Sequence, residues 1–578
     1  MPKRQLLSAA LIGLLILLVT VRIGVAVVNF RAYQMDNDEA THAARGVDLV
    51  MALVQGDGDG LWFELTKPHW YPPVHGLLLG GWLLLWGADL VSIRLYSTFC
   101  FLLFGALLWL IARQHGRVIG LGATEALESN PLWFRYAPNG RGYSTAASPS
   151  QTQGIIEEYS PLLWLIPPFF LVADALHSIY AAMSMLELPT ILCAFGAIFL
   201  FTRAGQIVNH APRRAAWLFG VSALLGLLCF WMKYSNGLLL LVTLFLSTLL
   251  LFVDRLGADK PTMPSPSTVA KAVAPGWILI ALGLFVWLVL LDQARWVGNY
   301  ANAQPAKFTL WETENLLYYP RLLVGEPVTA LALVLTLITL PWLLRSHPLR
   351  QLLWPYLIFF GAGLAMIIIT PQNNVRFIMP ILPPLWVIGG AGLFSWYSQL
   401  NGKIIKGALV AIPAVVLLFG LIRTQLSLPE QLEIEYENSN GGVNDAYEFI
   451  AQTIDLRAHP QAQIALLGRA DQWGGAALHV YLTAWCLRQK IACNLPVIDN
   501  KDMKEGWPRQ EFSEPEQQQR RHDALAQADI LVLYSEPPEP PDEWHLLDER
   551  PFMFERHNKE PKEVLVGVWE RGRGGIEE

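Results

Sequence analysis

Runs of about 20 mostly apolar residues constrain this chain more than any other feature. They lie at roughly 7–29, 91–112, 161–180, 185–202, 215–231, 236–253, 274–292, 326–344, 351–370, 377–397 and 404–422. A helix rises 1.5 Å per residue, so about 20 residues cross a hydrocarbon core of about 30 Å. Inside a bilayer every backbone N–H and C=O must be paired within its own segment, which makes such runs helices. Charged residues are only 16% of the chain, against about 25% in soluble domains. The expected fold is therefore a polytopic α-helical membrane protein with about eleven transmembrane helices, within a range of 10–13.

Loop charges give the orientation. With the N-terminus in the cytoplasm, the cytoplasmic loops hold Arg113 and Arg117; Arg203, Arg213 and Arg214; Arg255, Lys260 and Lys271; Arg345 and Arg350; and Lys403 and Lys406. Each is basic, as the bias toward cytoplasmic Lys and Arg requires. Val74–Trp86 is apolar but too short to span, and counting it would invert every later loop, so it is read as a re-entrant or interfacial helix. Lys3 and Arg4 ahead of an apolar stretch also suit a signal peptide, but no small-residue cleavage site follows, and an uncleaved first span is preferred.

This reading divides the chain into a transmembrane domain, 1–423, and an extracytoplasmic domain, 424–578. The first contains an outer loop at 29–90 with interfacial helices, a cytoplasmic insert at 114–160 read as a long loop, and an outer loop at 293–325. The last is rich in aromatics (Trp296, Tyr300, Phe308, Trp311, Tyr318 and Tyr319), which read either as an interfacial belt or as a lid over a groove. After Leu421 the sequence becomes polar and Pro-rich. NDAYEFIAQTI and GGAALHVYLTAWCLRQK have helical spacing, whereas QIALLG, DILVLYS and EVLVGVWE read as strands, giving a small α/β domain. GGAAL lacks the spacing of a dinucleotide fingerprint. Five cysteines are too few for a disulfide framework; Cys486 and Cys493 in the tail read equally as a disulfide or as two thiols. No basic stripe with interleaved aromatics marks a nucleic-acid partner.

Ionisable residues gather on the non-cytoplasmic side. Asp36, Asp38, Glu39 and His42 follow the first span, ahead of TKPHWYPPVHG; Glu187 lies in MLELP, Lys233 and Tyr234 in MKYSNG, and Arg376 in NNVRFIMP. Charges at membrane depth are costly and mark function by default. Each residue also has a structural reading. Asp36 or Asp38 can cap a helix, Lys233 can snorkel, and Arg376 can meet a lipid headgroup. Asp38 and His42, at i and i+4, can share a divalent metal or simply pair along a helix; no metal or other cofactor is assigned. The chemistry that fits is group transfer from a phosphate-bearing lipid. Asp38 serves as general base, with Glu39 beside it in the catalytic pair; Lys233 and Arg376 hold the donor phosphate; Asp36, His42, Glu187 and Tyr234 position the acceptor.

These motifs carry a resemblance. Asp38-Glu39 after the first helix, Tyr71-Pro72-Pro73 before a Gly-rich apolar helix, Arg94, MLELP, MKYSNG and NVRFIMPILPP occur in the order seen in C-type glycosyltransferases. The chain resembles the bacterial protein O-mannosyltransferase and aminoarabinose-transferase relatives over about residues 6–425. The resemblance implies a catalytic carboxylate from the first outer loop and a polyprenyl-phosphate sugar donor, with a glycan, lipid or protein as acceptor. It further implies a bacterial inner membrane. Two departures stand out: the 114–160 insert, and two aspartates, Asp36 and Asp38, competing for one role. A transporter or lipid flippase is the alternative, though it favours internal repeats and midplane polar groups that are not seen. A non-catalytic relative that binds lipid-linked sugars is a third.

Overall fold

The computed structural model describes residues 3–35, 37–67, 72–129, 164–256, 266–294, 312–344, 347–370, 374–399, 403–436, 442–468, 474–499, 505–506, 510–511, 513–534, 543–554 and 562–572. Among these, nine helices are long and apolar enough to cross a membrane, and a tenth crossing follows if Leu316–Gly325 and Pro327–Pro341, bent by 99°, are taken together. The chain is an integral membrane protein.

Helix α1 (Lys3–Asn29) leads into three shorter helices, α2 (Asn37–Gln55), α3 (Gly58–Thr66) and α4 (Val74–Trp86). The last is the short apolar helix expected before the second span. Helix α5 (Leu90–Ser129) runs on through 114–129, where a loop was expected; residues 130–163 of the insert lie outside the described residues. Apolar periodicity past Arg117 is weak, so propensity rather than pattern extends this helix.

The third expected span, 161–180, is broken into α6 (Ile166–Ala173) and α7 (Ala175–Ala181). At the break, Asp174 leaves the helical region and its carboxylate accepts the His177 backbone N–H, capping α7. Trp164 and Pro167 lie with His115 and Gly116 near one end of the apolar part of α5. Toward the other end, Thr98 Oγ1 donates to the Ala181 carbonyl at 2.7 Å. The broken pair thus runs alongside α5 and supplies one further traverse of the bundle.

Helices α8 (Glu187–Ile207), α9 (Pro212–Phe230), α10 (Tyr234–Leu256) and α11 (Pro266–Phe285) follow, α11 passing into a π-helical turn at Val286–Leu290. Next come α12 (Thr313–Gly325), α13 (Pro327–Leu343) and α14 (His347–Ile369). A 3₁₀ helix, Val375–Ile381, starts the span that continues as α15 (Leu382–Gln399). Pro380 removes a backbone donor where a regular α-helix would begin. This span is central, with Leu385, Trp386, Val387, Ile388 and Leu393 all buried.

Helix α16 (Lys403–Glu435) passes through the composition change at 424 without ending, so the expected boundary at 423 falls inside a helix. Beyond it, α17 (Val443–Thr453), α18 (Gly475–Gln489) and α19 (Glu514–Gln527) accompany a sheet. The strands are β1 (Ile464–Gly468), β2 (Val497–Asp499), a small hairpin of β3 (Glu505–Gly506) and β4 (Gln510–Glu511), β5 (Ile530–Tyr534), β6 (Trp544–Phe554) and β7 (Lys562–Arg571). The main sheet has the order β2-β1-β5-β7-β6. β1 runs parallel to both neighbours, in register Ile464–Val497 and Ile464–Ile530, while β7 is antiparallel to β5 and β6. Buried β5, with the sequence ILVLY, forms the apolar centre of this mixed sheet. Cys486 and Cys493 are joined by a disulfide.

Candidate active site

The site is built at the end of the bundle that meets the sheet domain, where four chain breaks face one another. Helix α2 buries Ala40, Ala43, Val47 and Val50 and crosses α4 closely at Gly46 and Gly80. A Cβ on Gly46 would stand 2.9 Å from Leu79, so a larger residue would push the helices apart. Asp38 and Glu39 occupy the first turn of α2, where the helix dipole favours negative charge.

These neighbouring carboxylates have opposite environments. Glu39 is fully buried and takes a bidentate pair from Arg94, Nε to Oε1 at 3.1 Å and Nη2 to Oε2 at 3.0 Å. Ser184 N–H donates to Oε1 at 2.7 Å and the Tyr436 hydroxyl to Oε2 at 3.2 Å. Arg94 in turn donates to the carbonyls of Phe30, Tyr33 and Gln34 and lies over the Tyr436 ring, 4.8 Å from its centroid. This group ties α2, α5, the 182–186 turn and the end of α16 together. Glu39, expected to share the catalytic role, is buried among donors from Arg94, Ser184 and Tyr436, an arrangement that holds these elements together.

Asp38 is the open member. Its side chain is 38% exposed and is paired with Arg376 Nη1, whose side chain is 17% exposed. Arg376 begins the central span, and its position is fixed locally. The Asn374 side chain accepts the Arg376 N–H at 3.1 Å, while the Tyr319 hydroxyl donates to the Asn374 carbonyl at 3.3 Å. Tyr319, one of the aromatics expected in a belt or lid, is thus a buried prop for this turn. Trp296, Tyr300, Phe308 and Trp311 lie outside the described residues.

Beside this pair is a second one. Lys233 Nζ donates to Glu187 Oε1 at 2.8 Å, with both side chains nearly buried. Glu187 sits in the first turn of α8, and Lys233 in the break between α9 and α10. Asn236 Nδ2 donates to Thr190 Oγ1 at 3.0 Å, fastening the two elements one turn farther in. Lys233 Nζ and Arg376 Cζ lie 5.8 and 5.9 Å from the centroid of the same ring, Phe377. Glu187 Oε2 is buried and accepts no hydrogen bond among the described residues.

Asp38, Arg376, Lys233 and Glu187 are therefore brought together, while three other expected residues are not. His42 is buried between α2 and α4, its ring 6.0 Å from that of His75, which meets Tyr96 at 5.6 Å. It packs in a column of rings, apart from the Asp38, Arg376, Lys233 and Glu187 side chains it was expected to join. The Tyr234 hydroxyl accepts from Trp287 Nε1, in the π-helical turn after α11, at 3.2 Å. Asp36 lies outside the described residues. Among the described residues no group of three His, Cys, Asp or Glu side chains could hold a metal ion.

A second charged network lies farther along α2. Arg45 donates to the Glu64 carbonyl at 2.8 and 2.6 Å. Lys67 pairs with Glu64 and stands 3.7 Å from Asp48 Oδ2, and His479 Nε2 on α18 is 2.7 Å from Asp48 Oδ1. Burial lowers Arg45 to about 10, its anionic neighbours only partly opposing this. Burial and the Asp48 charge raise Glu64. Sequence reasoning missed this network because its members lie far apart in the chain and no single one is in an unusual setting. It also missed Arg94 as the partner of Glu39, although an Arg inside an apolar run was a visible signal.

A cavity of about 1040 Å³ opens between α1, α5 and the sheet domain, walled by Val21, Leu95, Phe99, Trp82, Tyr481 and Arg488. None of Asp38, Glu187, Lys233 and Arg376 lines it. It is a separate feature from the ion pairs.

No family model and no curated protein matches this chain. Solved structures do. It is similar to ArnT from Cupriavidus metallidurans bound to undecaprenyl phosphate, with 13% identity over 96% of this chain and 98% of that one and a TM-score of 0.54. The apo ArnT structure gives 13% identity over 97% and 98%, with a TM-score of 0.52. An oligosaccharyltransferase from Archaeoglobus fulgidus, solved with Zn and sulfate, aligns over 89% of this chain and 67% of that one at 10% identity and a TM-score of 0.44. The ArnT alignments run through both the bundle and the sheet domain, and the fold of this chain is the one seen in those ArnT structures.

Proposed function

We propose that this chain is an integral-membrane glycosyltransferase that moves a sugar from a polyprenyl-phosphate donor to an acceptor hydroxyl. The Asp38–Arg376 pair carries the reading. It joins a half-open carboxylate to a guanidinium at the bundle mouth, with the buried Lys233–Glu187 pair alongside. An arriving lipid phosphate competes with Asp38 for Arg376, and guanidinium–phosphate pairing is strong and directional. Lys233 adds a point charge beside the same Phe377 ring. Asp38, released from Arg376, then takes the proton of the acceptor hydroxyl. The acceptor oxygen bonds to the anomeric carbon as the carbon–oxygen bond to phosphate breaks, with inversion. The bonding pair stays on the phosphate, whose growing charge the two cations neutralise. Glu187 Oε2, still open to a donor, holds an acceptor hydroxyl.

Three observations support this reading. One of the ArnT structures sharing the fold was solved with undecaprenyl phosphate. The two cations, Lys233 and Arg376, lie together beside the Phe377 ring at the end of the bundle that meets the sheet domain. The Cys486–Cys493 disulfide suits an oxidising, extracytoplasmic compartment for the sheet domain and hence for the site. We place the protein in a bacterial inner membrane with a cytoplasmic N-terminus.

The experiment is transfer from radiolabelled undecaprenyl-phosphate sugars to membrane glycolipids and exported proteins by purified wild type and Asp38→Asn. The expected result is loss of about 10²–10⁴-fold in turnover, the usual range for a general base, in a variant that still binds undecaprenyl phosphate. Wild-type turnover in folded Asp38→Asn refutes the assignment. Vesicle uptake of substrate with no covalent product turns it into a transporter.

A further inference from the structure

We infer that His479, in the sheet domain, is a positioning residue for the site: as an imidazolium it clamps α2, the helix whose first turn carries Asp38, to the outer domain. The inference rests on the proposed function only in treating Asp38 as a site residue.

The hydrogen bonds set the charge. His479 Nδ1 stands 2.9 Å from the Leu495 carbonyl and Nε2 2.7 Å from Asp48 Oδ1. A carbonyl and a carboxylate only accept, so both ring nitrogens must donate, and a neutral imidazole has just one N–H. Lys67 Nζ, 3.7 Å from the other Asp48 oxygen, keeps that carboxylate ionised. Burial works against the imidazolium, but the Asp48 charge and hydrogen bond outweigh it and raise His479 from 6.5 to about 9. Burial likewise opposes the Asp48 carboxylate, and His479 and Lys67 pull it below its ordinary value.

The groups acting on His479 are therefore Asp48 on α2 and Lys67 at the end of α3, with Arg45 and Glu64 one contact removed. Asp445 and Glu448 on α17 act instead on Tyr481, a different residue of α18. A second tie lies two turns along α2, where Gln55 Nε2 donates to the Cys493 carbonyl at 3.1 Å, beside the disulfide that closes the 486–493 loop. Asp48 is ten residues from Asp38, about 15 Å along the helix. At that range His479 acts by fixing where α2 sits, not by direct charge.

The sign follows. A raised His pKa gives docking that is complete below 6.5 and lost as pH climbs through about 9. The test is amide hydrogen exchange on the full chain in nanodiscs between pH 7 and 10.5, corrected for intrinsic rates, comparing wild type, His479→Gln and His479→Lys. In wild type, protection of residues 38–52 is expected to fall at least tenfold between pH 8 and 10. In His479→Gln it should be low already at pH 7 and show no step, with β1 and β5 protected as before. In His479→Lys, which keeps a cation facing Asp48 and in a model peptide titrates near 10.4, protection should return and the step should move upward. Wild-type-like protection with the same step in His479→Gln overturns the inference. If His479→Gln also loses its sheet, the lysine variant decides, and an unshifted step there overturns it. The readout needs no turnover, so it stands or falls apart from the transferase reading.

Discussion

Asp38 and Glu39 show how little the identity of a residue says about its work. They are adjacent, both acidic and both in the first turn of one helix, yet one is 38% exposed on Arg376 and the other is enclosed by Arg94, Ser184 and Tyr436. Removing one partner of a buried pair leaves a bare charge, at a cost of about 3–5 kcal/mol. Arg94→Met is therefore expected to lower stability by that amount in thermal denaturation of the detergent-solubilised protein, while the double variant Arg94→Met with Glu39→Gln recovers part of the loss. Asp38→Asn should leave the melting temperature nearly unchanged. An Arg94→Met protein as stable as wild type would remove Glu39 from its structural role. At Lys233, the expected result for Lys233→Met, if the proposed phosphate site is right, is a loss of undecaprenyl-phosphate affinity of at least tenfold by titration calorimetry, since the buried cation proposed to meet the phosphate goes with it.

At the level of elements, the site consists of places where helices stop. The α2 start, the 182–186 turn, the 231–233 break and the 374–376 turn each present one or two polar groups on an otherwise apolar bundle. These breaks are fastened by short-range bonds: Asn236 to Thr190, Tyr319 to Asn374, and Ser97 Oγ to the Met185 carbonyl at 3.4 Å. Tyr319→Phe removes a hydroxyl from the Asn374 turn while keeping the ring. We expect a stability change within about 1 kcal/mol, the worth of one hydrogen bond, and a larger proportional loss in phosphate binding, because Arg376 is then less firmly placed. Equal binding in wild type and Tyr319→Phe would show that the turn holds itself. Gly46→Val tests the α2–α4 crossing. A Cβ there already meets Leu79 at 2.9 Å, so overpacking should cost about 1–3 kcal/mol.

For the whole molecule, the reading requires Asp38, Glu187, Lys233 and Arg376 on one side of the bilayer. Cysteine-accessibility labelling of single cysteines placed at 57, 235 and 374 should mark all three from the same side, opposite to one placed at 211. Much of this architecture was legible in the sequence. Apolar run length specified most of the spans, because a bilayer imposes one thickness on every helix that crosses it. The tail strands at 464–468, 530–534 and 562–571 could be read from their apolar character, whereas β6 was missed because WHLLDERPFMF carries charges and a proline in an edge strand. Helix α19 was missed too, despite a Ser513–Glu516 capping box that announces it. The sequence by itself determined that acidic and basic residues gather at one mouth of a membrane bundle. Which carboxylate is open and which is locked, and that a histidine 431 residues beyond Asp48 grips the site helix, only the tertiary structure decided. Those outcomes depend on which partners the packing brings within about 3 Å, and no local pattern encodes a distance between residues hundreds of positions apart.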